Sequence, residues 1–452
     1  MSNSINLKKG LDIPISGAPK AQVSFKCALD VVAVCPSDFK GLTPRLLVKE
    51  GDAVKAGSPV MADKVHPEIL LTSPVSGTVK EIVRGEKRKL LAVLVESSQK
   101  QEYVDFGSTR PENLSAEQIR KTLLESGLWA AIIQRPYGVI ADPALKPKAI
   151  FISSFSTAPL AGDTAFTLAP EFEFIQAGVT ALSKITDGGV HVSIKDDEFS
   201  GSAFHRLENA ILHSVKGKHP AGNVGVQISH ISPILKGETV WTVPVFLVSA
   251  IGKLFLKGKY DLTRKVAVGG PEANDPAYAE ALPGTPMKAF SAFWGSAEGL
   301  RIVSGDVLTG KAVGENGYLG FFDDQVTVLK EGTEPELFGW AKPFRFNQFS
   351  STRSYFSRLC GKKRYNMDTN LHGGPRAFVM SDSYYSAVLP MDIYPLYLVK
   401  ACLAGDIDKM EQFGIYEVLP EDLALCEFTD PSKNDIQDIV RSGIDIMIKE
   451  MA

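Results

Sequence analysis

A chain of 452 residues exceeds what one hydrophobic core sustains, so two to four domains are expected. With 44% hydrophobic and 22% charged residues, 39 Gly and 27 Pro, the composition is that of a folded protein of mixed α/β content and excludes wholesale disorder. A formal charge of −3 excludes a broad basic footprint, so nucleic acid is not an expected partner and any partner must be recognised locally.

Cys27, Cys35, Cys360, Cys402 and Cys426 are odd in number and widely spaced, which argues against a disulfide framework and for a reducing compartment. Residues 1–10 carry lysines but no apolar core of a signal peptide, so export is not expected. The longest apolar stretch, 240–256, is interrupted by Pro244, Gly252 and Lys253 and falls short of the roughly 20 residues a membrane span requires. No direct transmembrane segment is therefore expected, and work at a membrane would need other subunits to hold the chain there.

Residues 23–96 read as short β segments separated by Gly, Pro and Asp turns, a small β domain. Stretches 48–60 and 71–83 resemble the two halves of a biotinyl/lipoyl-type sandwich, with Gly51-Asp52 and Gly57 in tight turns and Ser73-Pro74 to Gly77 at the return hairpin. Lys64 is where a carrier lysine would be sought, because a swinging arm needs an exposed lysine at a hairpin tip. Eight residues separate it from Ser73, including His66-Pro67, more than a symmetric lipoyl hairpin has. An unmodified sandwich used for docking is the favoured alternative.

From 114 to 270 helix and strand signals alternate in an α/β pattern. Ser115, with Gln118 three residues on, makes a capping box for a helix that should stop near Gly127. Residues 149–153 read as a buried strand, 171–184 as a helix, 190–194 and 225–231 as strands, 243–256 as a helix and 264–270 as a strand ending in glycines. The pattern is Rossmann-like. Residues 283–330 return to short β segments with Gly turns, notably 301–310. Beyond Phe349 a basic stretch (Arg353, Arg358, Lys362, Lys363, Arg364) precedes helical patterns at 392–404, 406–413 and 433–449. The expected fold class is multidomain α/β and α+β. Its parts are 1–98, an N-terminal segment plus the biotinyl/lipoyl-like β sandwich; 99–270, the Rossmann-like α/β domain; 271–345, a small α+β domain; and 346–452, a C-terminal helical domain.

The missing motifs are informative. No Gly-x-Gly-x-x-Gly follows a predicted strand, so direct NADH binding is not expected. No Cys-x-x-Cys exists, so an iron–sulfur cluster held by four thiolates cannot be built from this chain alone. His205, His213 and His219 share a short window, but spacings of eight and six do not stack imidazoles on one helix face, and no metal site is expected. Neither a Gly-x-Ser-x-Gly elbow nor a cysteine in a catalytic setting occurs, so no catalytic residue is assigned.

Several segments, in order along the chain, carry a family resemblance: Leu7-Lys-Lys-Gly-Leu-Asp-Ile-Pro-Ile-Ser-Gly17, Ser73-Pro-Val-Ser-Gly-Thr-Val79, Arg84-Gly-Glu-Lys-Arg88, Glu125-Ser-Gly-Leu-Trp129 with Arg135-Pro136, His219-Pro-Ala-Gly222, Ile302-Val-Ser-Gly-Asp-Val-Leu-Thr-Gly310, Glu336-Leu-Phe-Gly-Trp340 and Leu423-Ala-Leu-Cys-Glu-Phe428. Over nearly its full length the chain resembles the A subunits of Na⁺-translocating NADH:quinone oxidoreductases. The resemblance implies a peripheral subunit on the cytoplasmic side of the bacterial inner membrane, part of a six-subunit pump that passes electrons from NADH to quinone and exports Na⁺. It also implies kinship with the flavin and iron–sulfur subunit of respiratory complex I and with the Rnf C subunit, flavin and clusters having been lost. The third domain would then be of SLBB (ubiquitin-like) type and the C-terminal helices a degenerate Fe–S domain. No redox cofactor would be bound to this chain; NADH, flavins, Fe–S centres and Na⁺ would be handled by partner subunits of the complex, with quinone as substrate.

In this reading the loop from Trp129 to Tyr137 stands where relatives have a Gly-rich flavin loop, and Thr429-Asp430 where cluster cysteines stand. A quinone ring needs an apolar slot with donors at its carbonyls. Trp129, Arg135 and Tyr137 would supply stacking and donors, and His219 a further donor. The competing reading makes Trp129 and Tyr137 core, Arg135 half of a structural ion pair and His219-Pro220 a turn. Two other functions stand beside that of a pump component: a lipoyl- or biotinyl-type carrier modified at Lys64, and a flavin-dependent NADH dehydrogenase subunit of Rnf or complex I type.

Overall fold

The computed structural model describes residues 3–199, 201–334, 336–339, 342, 344–361, 363–371 and 381–451; Trp340 and Lys362 of the motifs above lie outside them. Its first β unit consists of two small antiparallel sheets. One orders Val31–Val34, Leu90–Ser97, Gly77–Arg84 and Ala53–Val54; the other Pro44–Leu46, Pro59–Asp63 and Leu70–Thr72. Val32, Val60, Met61, Val79, Val93 and Val95 are sealed in its core. Gly51 (φ 90°) and Gly57 (φ 93°) make the tight turns expected of them, conformations that a Cβ disfavours. Lys64 is exposed at the start of the loop 64–69, not at its tip.

A seven-stranded sheet follows, ordered Asn3–Asn6, Ile211–Lys216, Val190–Lys195, Ile150–Ser153, Val240–Thr242, Ile133–Arg135 and Val139–Ile140. The first five strands run parallel and the last two form an antiparallel hairpin. Helix Ala116–Ser126 opens on the Ser115/Gln118 box, with both reciprocal bonds made, and ends at Gly127 in the left-handed region. Helices Phe172–Ser183 and Val245–Lys257 meet backbone to backbone. A Cβ on Gly178 would stand 2.1 Å from the Val248 carbonyl oxygen, and one on Gly252 1.7 Å from that of Phe174.

Residues 225–231, read as a strand, are a correction: they lie in the helix Val224–Ile231. The sheet edge that such a strand would take is occupied by Ile211–Lys216 and Asn3–Asn6. The helix instead buries Val226, Gln227 and Ile228, and Gln227 Nε2 donates to Ser153 Oγ (2.9 Å) and to the Ala221 carbonyl (3.0 Å).

The third sheet orders Lys311–Ala312, Leu300–Ser304, Gln325–Lys330, Arg264–Gly269, Ala277–Ala281 and Val23–Lys26. Two short N-terminal segments are thus lent outward, residues 3–6 to the α/β sheet and 23–26 to this one. The chain closes with helices Asp382–Val388, Pro395–Ala404, Ile407–Phe413, Ala424–Thr429 and Ile436–Met451. In the last of these Ile436, Val440 and Ile444 recur every fourth residue and are fully buried, one apolar stripe facing Leu398, Met410 and Cys426. No helix among the described residues is long and apolar enough to cross a membrane.

Candidate functional site

The loop that carries three of the four predicted site residues begins with the short helical turn Leu128–Ala131 and runs into the hairpin Ile133–Arg135 and Val139–Ile140. Trp129 is fully buried. Its Nε1 donates to the Ala141 carbonyl at 2.7 Å, its ring meets Trp241 edge-on at 5.4 Å, and the Arg120 guanidinium covers both indoles. This side chain fills the interior of the α/β unit.

Arg135 points the other way, toward the C-terminal helices. Its Nη1 donates to Asp422 Oδ2 and its Nη2 to Glu421 Oε1, both at 2.8 Å. Arg135 and Asp422 are sealed from solvent, whereas the Glu421 side chain keeps 40% of its surface exposed. Burial alone would lower the basicity of Arg135; the Asp422 and Glu421 carboxylates reverse that and hold it above the usual value. Gly225 leaves room for the pair, since a Cβ there would lie 2.3 Å from both Arg135 Nη1 and Asp422 Oδ2. Asp422 also accepts from the Leu419 amide, so one carboxylate fixes both a turn and an interdomain contact.

Tyr137 is half-buried beside this junction. It has φ 87°, its carbonyl accepts from Arg441 Nη1 at 3.1 Å, and its ring stands 6.4 Å from Tyr416. Burial raises the pKa of its phenol, which stays a protonated donor. His219 lies on the neighbouring loop before helix Val224–Ile231, 3% exposed. Its amide donates to Asp12 and its carbonyl accepts from Leu11, so the N-terminal segment closes over it. Thr157 Oγ1 accepts from the Gly222 amide at 2.9 Å and also lies 3.1 Å from His219 Nδ1, a contact in which the His tautomer sets which atom donates. The other ring nitrogen, Nε2, is buried without a partner among the described residues. Burial lowers the His219 pKa, and the ring is neutral at pH 7.

Arg135 and Tyr137 thus lie at one seam between the α/β unit and the C-terminal helices, bridged by Asn223 Nδ2 donating to the Glu421 carbonyl, and His219 sits on the loop that leads to Asn223. Trp129 stands apart, in the other core. Asp422 and Glu421 complete the seam and Thr157 and Asp12 hold His219; none of the four was read from the sequence as a site residue. Among the described residues no group of three or more His, Cys, Asp or Glu is placed to hold a metal. Of the clustered histidines, His213 pairs instead with His191, Nε2 to Nδ1 at 2.8 Å, and His205 packs on Phe199. The Asp430 carboxylate is spent on the Ser432 and Asn434 amides, and Thr429 Oγ1 on the Leu425 carbonyl.

Residues 5–98 match the model of the NqrA N-terminal barrel-sandwich hybrid domain, and residues 114–260 that of the NqrA second alpha/beta domain. The chain is 39% identical over 442 residues to the A subunit of the Na(+)-translocating NADH-quinone reductase of Yersinia pseudotuberculosis serotype O:1b, covering 97% of this chain and 98% of that one. The chain belongs to the NADH-quinone reductase A-subunit family. The corresponding protein of Haemophilus influenzae (strain 86-028NP) is 36% identical over 450 residues, covering 99% of this chain and all of its own, and that of Shewanella frigidimarina is 35% identical over 449, with the same coverage. As a member of this family, the chain has an N-terminal barrel-sandwich hybrid domain and a second α/β domain, followed by a mixed sheet and C-terminal helices.

A second junction joins the barrel-sandwich domain to the third sheet. Arg264, buried, donates to the carbonyls of Phe321 (3.0 Å) and Gly320 (2.8 Å). Asp38 accepts from the Phe321 amide, and Asp323 and Asp324 lie close by. Burial lowers Arg264 to about 10 against the pull of those acids, and burial raises Asp38 to about 6. A 20 Å³ cavity between Cys35, Asp38, Tyr260 and Gly284 marks where the three units meet.

Proposed function

We propose that this protein sits peripherally on the cytoplasmic face of its complex and contributes to quinone binding and to assembly without a redox group of its own. NADH oxidation, flavin and iron–sulfur chemistry and Na⁺ passage then fall to the partner subunits. In the same reading the α/β domain is Rossmann-like, the third sheet an SLBB-type fold and the C-terminal helices a degenerate Fe–S domain. The observation that carries this proposal is the likeness to NADH-quinone reductase A subunits over 97% of the chain.

The seam supports a quinone contact. Tyr137 offers a protonated phenol at a half-exposed position, and His219 Nε2 is a buried ring nitrogen without a partner among the described residues, a donor in the tautomer that carries its proton there. A quinone carbonyl would accept from both, and Tyr416 beside Tyr137 gives an aromatic flank. Arg135 holds the seam shut and Trp129 backs the loop from the interior.

Calorimetric titration of the purified chain with a short-chain quinone tests the reading. Tyr137→Phe and His219→Gln should each weaken binding roughly 5- to 10-fold, the effect of one hydrogen bond. Unchanged affinity in both would remove these residues from the site and leave the family membership standing. The intact mass of the same sample addresses the other two functions: an added lipoyl or biotinyl mass on Lys64 would favour a carrier, and a yellow preparation a flavoprotein.

A further inference from the structure

We propose that the described residues within 337–364 form a surface that docks on anionic phospholipid headgroups. Within a chain of net charge −3 this stretch has seven Lys or Arg, seven aromatic residues and no Asp or Glu. Cations interleaved with aromatic rings are the composition of segments that lie at a membrane interface, the charges meeting headgroups and the rings the acyl boundary.

Several of the described side chains in this stretch point outward. Leu337 is 80% exposed, Phe344 75% and Leu359 71%. Phe344 and Phe346 both pack their rings on Phe356, at 5.1 and 6.0 Å, so they make one patch. A groove of 570 Å³ runs beside Phe344 and Phe346. Arg353, Arg358 and Lys363 are exposed along the same stretch. Arg345 builds the segment instead: it is buried, paired with Glu336, which also meets Lys342 at 2.9 Å, and stacked over Tyr355 at 5.3 Å.

Charge decides between a bilayer and a protein as occupant. Cytoplasmic loops of membrane proteins carry an excess of Lys and Arg, which would repel a cationic face, while the anionic lipid around them attracts it. An exposed apolar patch of this kind on a folded chain marks an interaction site. The inference rests on the cytoplasmic-face location proposed above and is independent of the quinone seam.

Co-flotation of the full-length chain with vesicles tests it. Phosphatidylcholine vesicles containing one-third phosphatidylglycerol should carry the protein at low salt and release it at high salt, and pure phosphatidylcholine vesicles should not carry it. Removing two charges in Arg353→Gln with Arg358→Gln should lower partitioning about tenfold or more, each cation contributing roughly fivefold. Phe344→Ser with Phe346→Ser should lower it as well, with circular dichroism and Tm unchanged because these side chains are exposed. Equal binding to both vesicle types, no binding to either, or salt-insensitive binding would overturn the proposal without any variant being made. Retention by detergent-solubilised membrane subunits in the absence of vesicle binding would assign the surface to a protein partner instead.

Discussion

The two interdomain junctions solve the burial of an arginine in opposite ways. At the seam with the C-terminal helices, Arg135 faces Asp422 in a sealed pair and Glu421 at the rim. At the third sheet, Arg264 gives its hydrogen bonds to carbonyls, while Asp38, Asp323 and Asp324 gather around it without a direct ion pair among the described contacts. The first arrangement raises the arginine's pKa and the second lowers it. A charge met head-on by carboxylates keeps its protonation across the physiological range. Acids crowded into a dry junction do not, and that is where pH acts.

The sharpest way to break this contrast is Arg135→Ala. It leaves Asp422 buried and unpaired, and a stability loss of about 3–5 kcal/mol by denaturant titration is expected. A loss below about 1 kcal/mol would mean that the pair is solvated in solution. Arg135 is therefore a poor probe of ligand binding, since its removal confounds affinity with unfolding.

Asp38→Asn is the next largest change and has the opposite sign. Folded Asp38 keeps its proton up to about pH 6, while the unfolded chain releases it near the ordinary value of 3.8. Between those values the folded state binds more protons, so stability falls as the pH rises through that window. Asp323 and Asp324, also raised by burial, act in the same direction. Asn retains an oxygen for the Phe321 amide and should stabilise the protein by about 1–2 kcal/mol above about pH 6, flattening the slope between roughly pH 4 and 6. Thermal unfolding at a series of pH values checks both; an unchanged slope would clear Asp38. Smallest is Glu421→Gln, where a rim position screened by water predicts a change within about 1 kcal/mol. If it matches Arg135→Ala, the seam is drier at its edge than the contacts indicate.

The sequence exposed what local physics decides. Ser115 and Gln118 announced a helix because a capping box is satisfied within four residues, and Gly127 ended it by its left-handed conformation. Residues 225–231 misled because Val226, Ile228 and His230 alternate with Gln227 and Ser229 as a half-buried strand would. Only the occupied sheet edge and the bonds from Gln227 to Ser153 and Ala221 make that segment a helix. The strand Ile211–Lys216 escaped notice because polar His213 and Ser214 sit at its buried centre, and Val240–Thr242 because three residues give no period to read. In the candidate site, Trp129, Arg135, Tyr137 and His219 were legible as residues worth weighing. Their partners were not. Arg135 finds Asp422 across 287 residues and His219 finds Asp12 across 207, separations over which no pattern in the sequence operates.

The two lent strands near the N-terminus have a consequence for how the molecule comes into being. Residues 3–6 pair with 213–216 and residues 23–26 with 278–280, so each waits through some two hundred residues of synthesis before its neighbour leaves the ribosome. Until then both are bare edges able to join a strand of another chain. Their late capture makes the N-terminal segment a clasp across two sheets, and a bulky fusion in front of it would hinder that closure more than the folding of the β unit between them.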